Sequence, residues 1–202
     1  MFSLVYGLWK YWFQKDDYFV LILGLDNAGK TTFVEQAKSH YTPEYKGLNL
    51  AKISPTVGLN IGKIQTETIV LNFWDLGGQA ELQCLWEKYY SDAHAIIFIM
   101  DSSDSERIQN SKLAFEKILA NESLKKTPIL FIANKQDSPN SIAMSKILEY
   151  FELEHLIRDK SRDFHFIGAC IFQGKGIRES IEWITLIVKK YSVFKPPISS
   201  DD

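Results

Sequence analysis

Gly24-Leu25-Asp26-Asn27-Ala28-Gly29-Lys30-Thr31 is the stretch that decides the fold. It follows the short apolar run Phe19-Val20-Leu21-Ile22-Leu23 and precedes a mixed polar–apolar stretch, from Lys30 to about Ser39, that reads as a helix. The spacing is G-x-x-x-x-G-K-S/T between strand and helix, the pattern of a phosphate-binding loop. Its glycines let backbone N–H groups curl around phosphate oxygens, and the helix N-terminus adds partial positive charge. Lys30 is expected to reach the β- and γ-phosphates and the Thr31 hydroxyl to ligate Mg²⁺, with Thr32 among the nucleotide-binding residues. A glycine turn that fits by chance is the plain alternative, made remote by the strand and helix on either side.

Outward from this loop, strands and helices alternate. Residues 41–56 are polar and broken by Pro43, Gly47 and Pro55, hence loop. Leu59 to Thr66 and Thr68 to Leu76 read as a hairpin, and Ala80 to Tyr90 as helix. Ala95 to Met100 and Ile129 to Ala133 are continuous apolar runs, the mark of strands buried on both faces. Helices are expected from Ile108 to Asn121, from beyond Pro139 to about Phe151, and from Gly176 to Tyr191, with a strand from Phe164 to Cys170. The implied class is α/β, a mostly parallel sheet with helices on both faces. The expected units are an apolar, amphipathic N-terminal helix (1–17), one domain (18–192) and a disordered tail (193–202).

Two further motifs sit at strand ends. Asn134-Lys135-Gln136-Asp137 follows the run ending at Ala133. The Asp137 carboxylate can accept two hydrogen bonds from guanine, and adenine, without those donors, would leave a buried carboxylate unpaired. Asn134 would tie this loop to the phosphate loop, and the Lys135 stem would lie along the base. Trp74-Asp75-Leu76-Gly77-Gly78-Gln79 ends the hairpin. Asp75 is placed to hold Mg²⁺ through water, the Gly78 amide to meet the γ-phosphate, and Gln79 to orient the attacking water. Thr56, in the loop before the hairpin, would give Mg²⁺ a second hydroxyl. Alone, each motif reads equally well as a polar turn; together and in order they read as a nucleotide site.

Bulk properties fit one domain. The chain has 202 residues, 46% of them hydrophobic, and a formal net charge of −2 from 23 basic and 25 acidic side chains. That balance argues against a nucleic-acid partner. The two cysteines, Cys84 and Cys170, lack metal-ligand spacing, which reads as a reduced intracellular protein. No apolar run reaches the roughly 18 residues that span a bilayer. The first basic residue is Lys10, so no secretory leader is expected.

The pieces GLDNAGKTT, TVGLNIG, FWDLGGQ, LWEKYY and ANKQD resemble the Arf family of small GTPases over nearly the whole chain. Residues 11–16 and 45–62 are similar to its Arf-related branch. The resemblance implies a six-stranded sheet of order 2-3-1-4-5-6, switch regions near residues 47–58 and 77–91, and a hairpin that shifts register with the nucleotide. It implies GTP/GDP with Mg²⁺, an exchange factor, an activating protein and effectors that contact Leu59, Trp74 and Tyr89, with Trp86 packed beneath. It also implies a monomer that shuttles between cytosol and Golgi or trans-Golgi membrane in vesicle and protein transport.

Two departures stand out. Position 2 is Phe2 rather than the myristoylated glycine of the family. The Arf-related branch instead implies an acetylated Met1 recognised by a Golgi membrane protein. Counting back from Gly174-Lys175-Gly176, Cys170 and Ile171 stand in the last guanine-contacting loop, where the Ile171 amide would meet the guanine oxygen. The four arginines, Arg107, Arg158, Arg162 and Arg178, fall outside every phosphate-facing loop, so hydrolysis is expected to be slow until a partner supplies one. The apolar segment Phe2 to Phe13 is expected to sit in a groove with GDP and on a membrane with GTP, or else to dock permanently. The rival readings are a nucleotide kinase, which would want an arginine-rich lid, and a nucleotide-binding interaction module with little or no hydrolysis.

Overall fold

Four apolar runs form the centre of one six-stranded sheet in a computed structural model that describes residues 15–198. The strands are β1 (Asp16–Leu23), β2 (Leu59–Gln65), β3 (Ile69–Leu76), β4 (Ala95–Asp101), β5 (Ile129–Asn134) and β6 (Phe164–Gly168), in the order β2-β3-β1-β4-β5-β6. Only β2–β3 is antiparallel. The register pairs Val20 with Phe73 on one side of β1 and with Ala95 on the other. Central strands are buried on both faces, which is why β4 and β5 are unbroken apolar runs rather than alternating ones.

Among the described residues five α-helices cover the sheet: α1 (Lys30–Tyr41), α2 (Ile108–Ala120), α3 (Met144–Tyr150), α4 (Leu153–Arg158) and α5 (Ile177–Tyr191). On one face α1 and α5 bury Phe33, Ile177, Ile181, Ile184 and Val188 against Val20, Leu71 and Ile97. The 177, 181, 184, 188 spacing is one stripe of a 3.6-residue helix. On the other face α2 and α3 pack Phe115 and Ile147 against Phe98 and Phe131, whose rings meet at centroid distances of 4.9–5.3 Å.

Several expectations shift. Residues 16 and 17 open β1, so the N-terminal unit stops earlier than residue 17, and its expected helix lies outside the described residues. Ala80–Tyr89 winds as a 3₁₀ helix rather than an α-helix. The region from Pro139 to Arg158 holds a turn and two helices, broken where Glu152 adopts φ 54°. The tail is not disordered from residue 193. The Pro196 carbonyl lies 3.0 Å from His94 Nε2, the Lys195 ammonium donates to the Ala93 carbonyl at 2.7 Å, and the Ile198 N–H donates to the Asp17 carbonyl at 3.0 Å. These residues strap the sheet at the end opposite the phosphate loop, where unpaired carbonyls of the 91–94 turn need donors.

Candidate functional site: a guanine-nucleotide cleft

The loops at the carboxyl ends of the parallel strands enclose a cavity of about 470 Å³. Ligands of open α/β sheets bind at this end. Asp26, Asn27, Gly29, Lys30, Thr31, Thr32, Thr56, Gly78, Asn134, Lys135 and Asp137 all line it. Residues separated by more than a hundred positions in sequence therefore converge on one cleft.

Backbone geometry shapes the phosphate loop. Gly24 has φ +136°, and a Cβ there would lie 2.1 Å from the Ile99 carbonyl oxygen, so only glycine lets the loop cross β4 this closely. α1 starts at Gly29 with no side-chain cap and no acidic residue in its first turn. Its first N–H groups are thus left for an anion, with the helix dipole behind them. Lys30 is buried, and its ammonium donates to the Leu25 carbonyl at 2.8 Å. Burial pushes its pKa down to about 8 against the opposing pull of Asp75 and Asp26. A phosphate anion is the partner that would relieve this desolvation. Gly24, Leu25 and Ala28 shape the loop without lining the cavity: the Leu25 carbonyl holds Lys30, and the Ala28 carbonyl accepts from Asn134 Nδ2 at 2.8 Å.

Beside the phosphate loop, three oxygen-bearing side chains meet. The Thr31 hydroxyl donates to Asp75 Oδ2 at 2.7 Å, and the Thr56 hydroxyl lies 2.7 Å from the Thr31 hydroxyl. Asp75 is fully buried, its pKa is raised by desolvation, and its Oδ1 has no hydrogen-bond partner. A buried carboxylate oxygen without a partner is costly. Two hydroxyls with an unsatisfied carboxylate make a hard-oxygen donor set, which fits Mg²⁺ with water completing its shell.

The purine end is built from two adjoining loops. Asn134 is buried and bridges them, donating to Ala28 and accepting the Ile171 N–H at 3.0 Å. The Ile171 amide, expected to meet the guanine oxygen, donates here to Asn134. Cys170 and Ile171 are buried, and it is Phe172, unremarked in the sequence, that reaches the cavity wall from that turn. The Asp137 carboxyl is held below its ordinary range, first by a hydrogen bond from the Cys170 thiol, and Gln173 Nε2 donates to it at 3.4 Å. It is thus kept ionised to accept from a base.

Three placements refine the remaining expectations. Gln79 is exposed at the rim and is not among the lining residues, whereas Gly78 approaches so closely that a Cβ would lie 2.3 Å from the Asp26 nitrogen. No arginine lines the cavity among the described residues, but Arg107 braces the phosphate loop from behind. It donates to Asp26 Oδ1 at 3.0 Å and to Asp104 Oδ2 at 2.6 Å. Sequence could not show this, because the contact spans 81 positions. Leu59, Trp74 and Tyr89 are half-buried and grouped, with Trp74 and Tyr89 edge-to-face at 5.1 Å, and exposed Ile61 pairs with Trp74 across the hairpin. Trp86 is core beneath them, its indole N–H donating to the Gly77 carbonyl at 3.0 Å.

The model of the ADP-ribosylation factor (Arf) family matches residues 5–188. ADP-ribosylation factor-related protein 1 of Rattus norvegicus is 48% identical over 201 residues, covering 100% of this chain and 99% of that protein. ADP-ribosylation factor-like protein 3 of Saccharomyces cerevisiae is 41% identical over 201 residues, covering 98% of this chain and 99% of that one. Among solved structures, the Arl6 BBS3 small GTPase from Trypanosoma brucei with bound nucleotide analogue GppNp superposes with a TM-score of 0.74 at 28% identity. That match covers 86% of this chain and 98% of the other.

Proposed function

This chain belongs to the Arf family and is a guanine-nucleotide-binding, GTP-hydrolysing small GTPase, and on that premise we propose that it is a slow, Mg²⁺-dependent switch at Golgi membranes. The observation that carries the reading is the convergence of Thr31, Thr56 and the orphaned Asp75 Oδ1. Thr56 belongs to the loop segment between α1 and β2, so its position beside Thr31 couples that segment to the contents of the phosphate pocket.

Bound Mg²⁺ would neutralise phosphate charge, held by Thr31 and Thr56 with Asp75 acting through water. The rest falls to the chain. Lys30 and the free amides of the first turn of α1 bind and orient the β- and γ-phosphates. Asp137 selects guanine, and Asn134 keeps the base loop in register with the phosphate loop. The Gly78 amide meets the γ-phosphate, and Gln79 swings in from the rim to orient water. With no arginine in the cleft, intrinsic turnover is on the order of 10⁻⁴ per second, raised about 10³–10⁵-fold by an activating protein that inserts one.

An exchange factor loads GTP, and effectors read the Leu59, Trp74 and Tyr89 cluster in the loaded state. The protein acts as a monomer, peripheral to Golgi and trans-Golgi membrane in vesicle and protein transport. Its N-terminal segment docks there on a membrane-protein receptor that recognises an acetylated Met1. Single-turnover hydrolysis with and without an activating protein tests the slow switch; unaided turnover near one per second would refute it. Localisation of tagged wild type beside Thr31→Asn tests the Golgi assignment, which fails if both distribute alike.

A further inference from the structure

Phe172 is 59% exposed, yet its neighbour Ile171 is buried and the turn that carries both is firmly held. Ile171–Gln173 forms one 3₁₀ turn closed by Gly174 at φ 77°. The Phe172 carbonyl accepts from Gln36 Nε2 of α1 at 2.9 Å, and the preceding amide is tied to Asn134. The exposed ring is apolar surface turned to the cavity rather than to the core. Of the turn between β6 and α5, Phe172 is the residue that lines the cavity, whose lining also includes Lys135 and Asp137.

We propose that Phe172 is a stacking platform for the purine, covering the base on the β6 side while Asp137 reads its edge. The inference rests on the guanine reading of the cleft and adds to it a residue that sets nucleotide residence. Every purine offers a flat π face, so stacking supplies affinity without discriminating among bases. Discrimination stays with Asp137, and the residue after the platform, Gln173, donates to that carboxylate at 3.4 Å, so the turn that carries the platform is tied to the loop that carries the reader. Other apolar lining, from Leu50 and Ile53, belongs to the segment that carries Thr56. Phe172 lies outside that segment and is anchored to α1, so its grip is the same whichever phosphate state is bound.

The test is dissociation of radiolabelled nucleotide from full-length protein in Mg²⁺. Phe172→Ala is expected to speed release of GDP and of a non-hydrolysable GTP analogue by the same factor, about tenfold, as loss of one base–aromatic stack would. Inosine diphosphate, which lacks the exocyclic amine read by Asp137, is expected to lose the same factor. Phe172→Trp is expected to keep wild-type release rates and to show quenching on GDP binding beyond that of the wild-type tryptophans. Unchanged release from Phe172→Ala, or no added quenching in Phe172→Trp, overturns the proposal. So does a loss for GDP that exceeds the loss for inosine diphosphate, since that would place the effect on Asp137. A wild type that ignores guanine nucleotides would overturn the site reading itself and this inference with it.

Discussion

The hydroxyls of Thr31 and Thr56 lie 2.7 Å apart although 25 residues separate them, and both point at the same buried carboxylate, Asp75. One hydroxyl is fixed on α1 and the other rides on a loop, so their meeting measures whether that loop is closed. Thr31→Asn puts a longer amide where the hydroxyls converge. GTP affinity in Mg²⁺ is expected to fall about tenfold or more, about 1.4 kcal/mol, with a smaller loss for GDP. Competition binding with and without a chelator checks it, and equal losses for both nucleotides would count against the closed-loop account.

Gly78 meets the phosphate loop backbone to backbone. A methyl group there would sit 2.3 Å from the Asp26 nitrogen and the Leu25 carbonyl carbon. Neither is the end of a flexible side chain, so the 77–79 segment must move away. Gly78→Ala is expected to speed release of a GTP analogue by about tenfold or more while GDP release changes little. Overpacking of this kind costs about 1–3 kcal/mol. A variant with wild-type GTP residence would show that the close approach has no bearing on the triphosphate.

Asp137 accepts where guanine donates. Asp137→Asn replaces one acceptor oxygen with a donor, which suits a base bearing a carbonyl at that edge. GDP affinity is expected to fall by about a hundredfold or more, because a site built to pair a polar edge rejects the mismatched one. Xanthosine diphosphate is expected to gain over wild type. Equilibrium binding of the two nucleotides to both proteins decides it.

His94 is buried with both ring nitrogens engaged: Nδ1 accepts the Phe19 N–H at 3.0 Å and Nε2 faces the Pro196 carbonyl at 3.0 Å. A neutral imidazole supplies one acceptor and one donor, and this geometry uses both. Burial holds its pKa below the ordinary value, the nearby Lys195 ammonium acts in the same direction, and Asp92 opposes them. Below about pH 6.5 the unfolded chain therefore binds a proton that the folded one refuses, so stability falls as pH falls through that window toward the lower folded pKa. Above it the contribution is complete. His94→Phe is expected to flatten this part of the stability–pH curve, measured by urea unfolding across it; an unchanged slope would remove His94 from the account.

The cleft was legible in the sequence where chemistry demands fixed residues at fixed spacing. Lys30, Thr31, Asp75, Asn134 and Asp137 all converge, because each motif sits at a strand's carboxyl end and parallel pairing brings those ends together. What escaped was set by contacts between distant segments. The brace from Arg107 to Asp26 and the capture of the Ile171 amide by Asn134 depend on the packing of α2 and β6 beside the phosphate loop. The break at Glu152 needs a left-handed backbone that no glycine announces. The tail, with two adjacent prolines and a polar end, looks unstructured, since apart from the His94 ring its partners are main-chain carbonyls of residues 91, 93 and 17, which carry no side-chain signature.

That strap bears on how the molecule can be handled. A fluorophore or affinity handle attached near Ile198 would ride beside Asp17 and His94, a full strand length from the nucleotide, leaving loading and release unobstructed. Trimming the chain back past Lys195 would instead strip the donor from the Ala93 carbonyl and open His94 to water, so shortened versions would be poorer reagents than tagged ones.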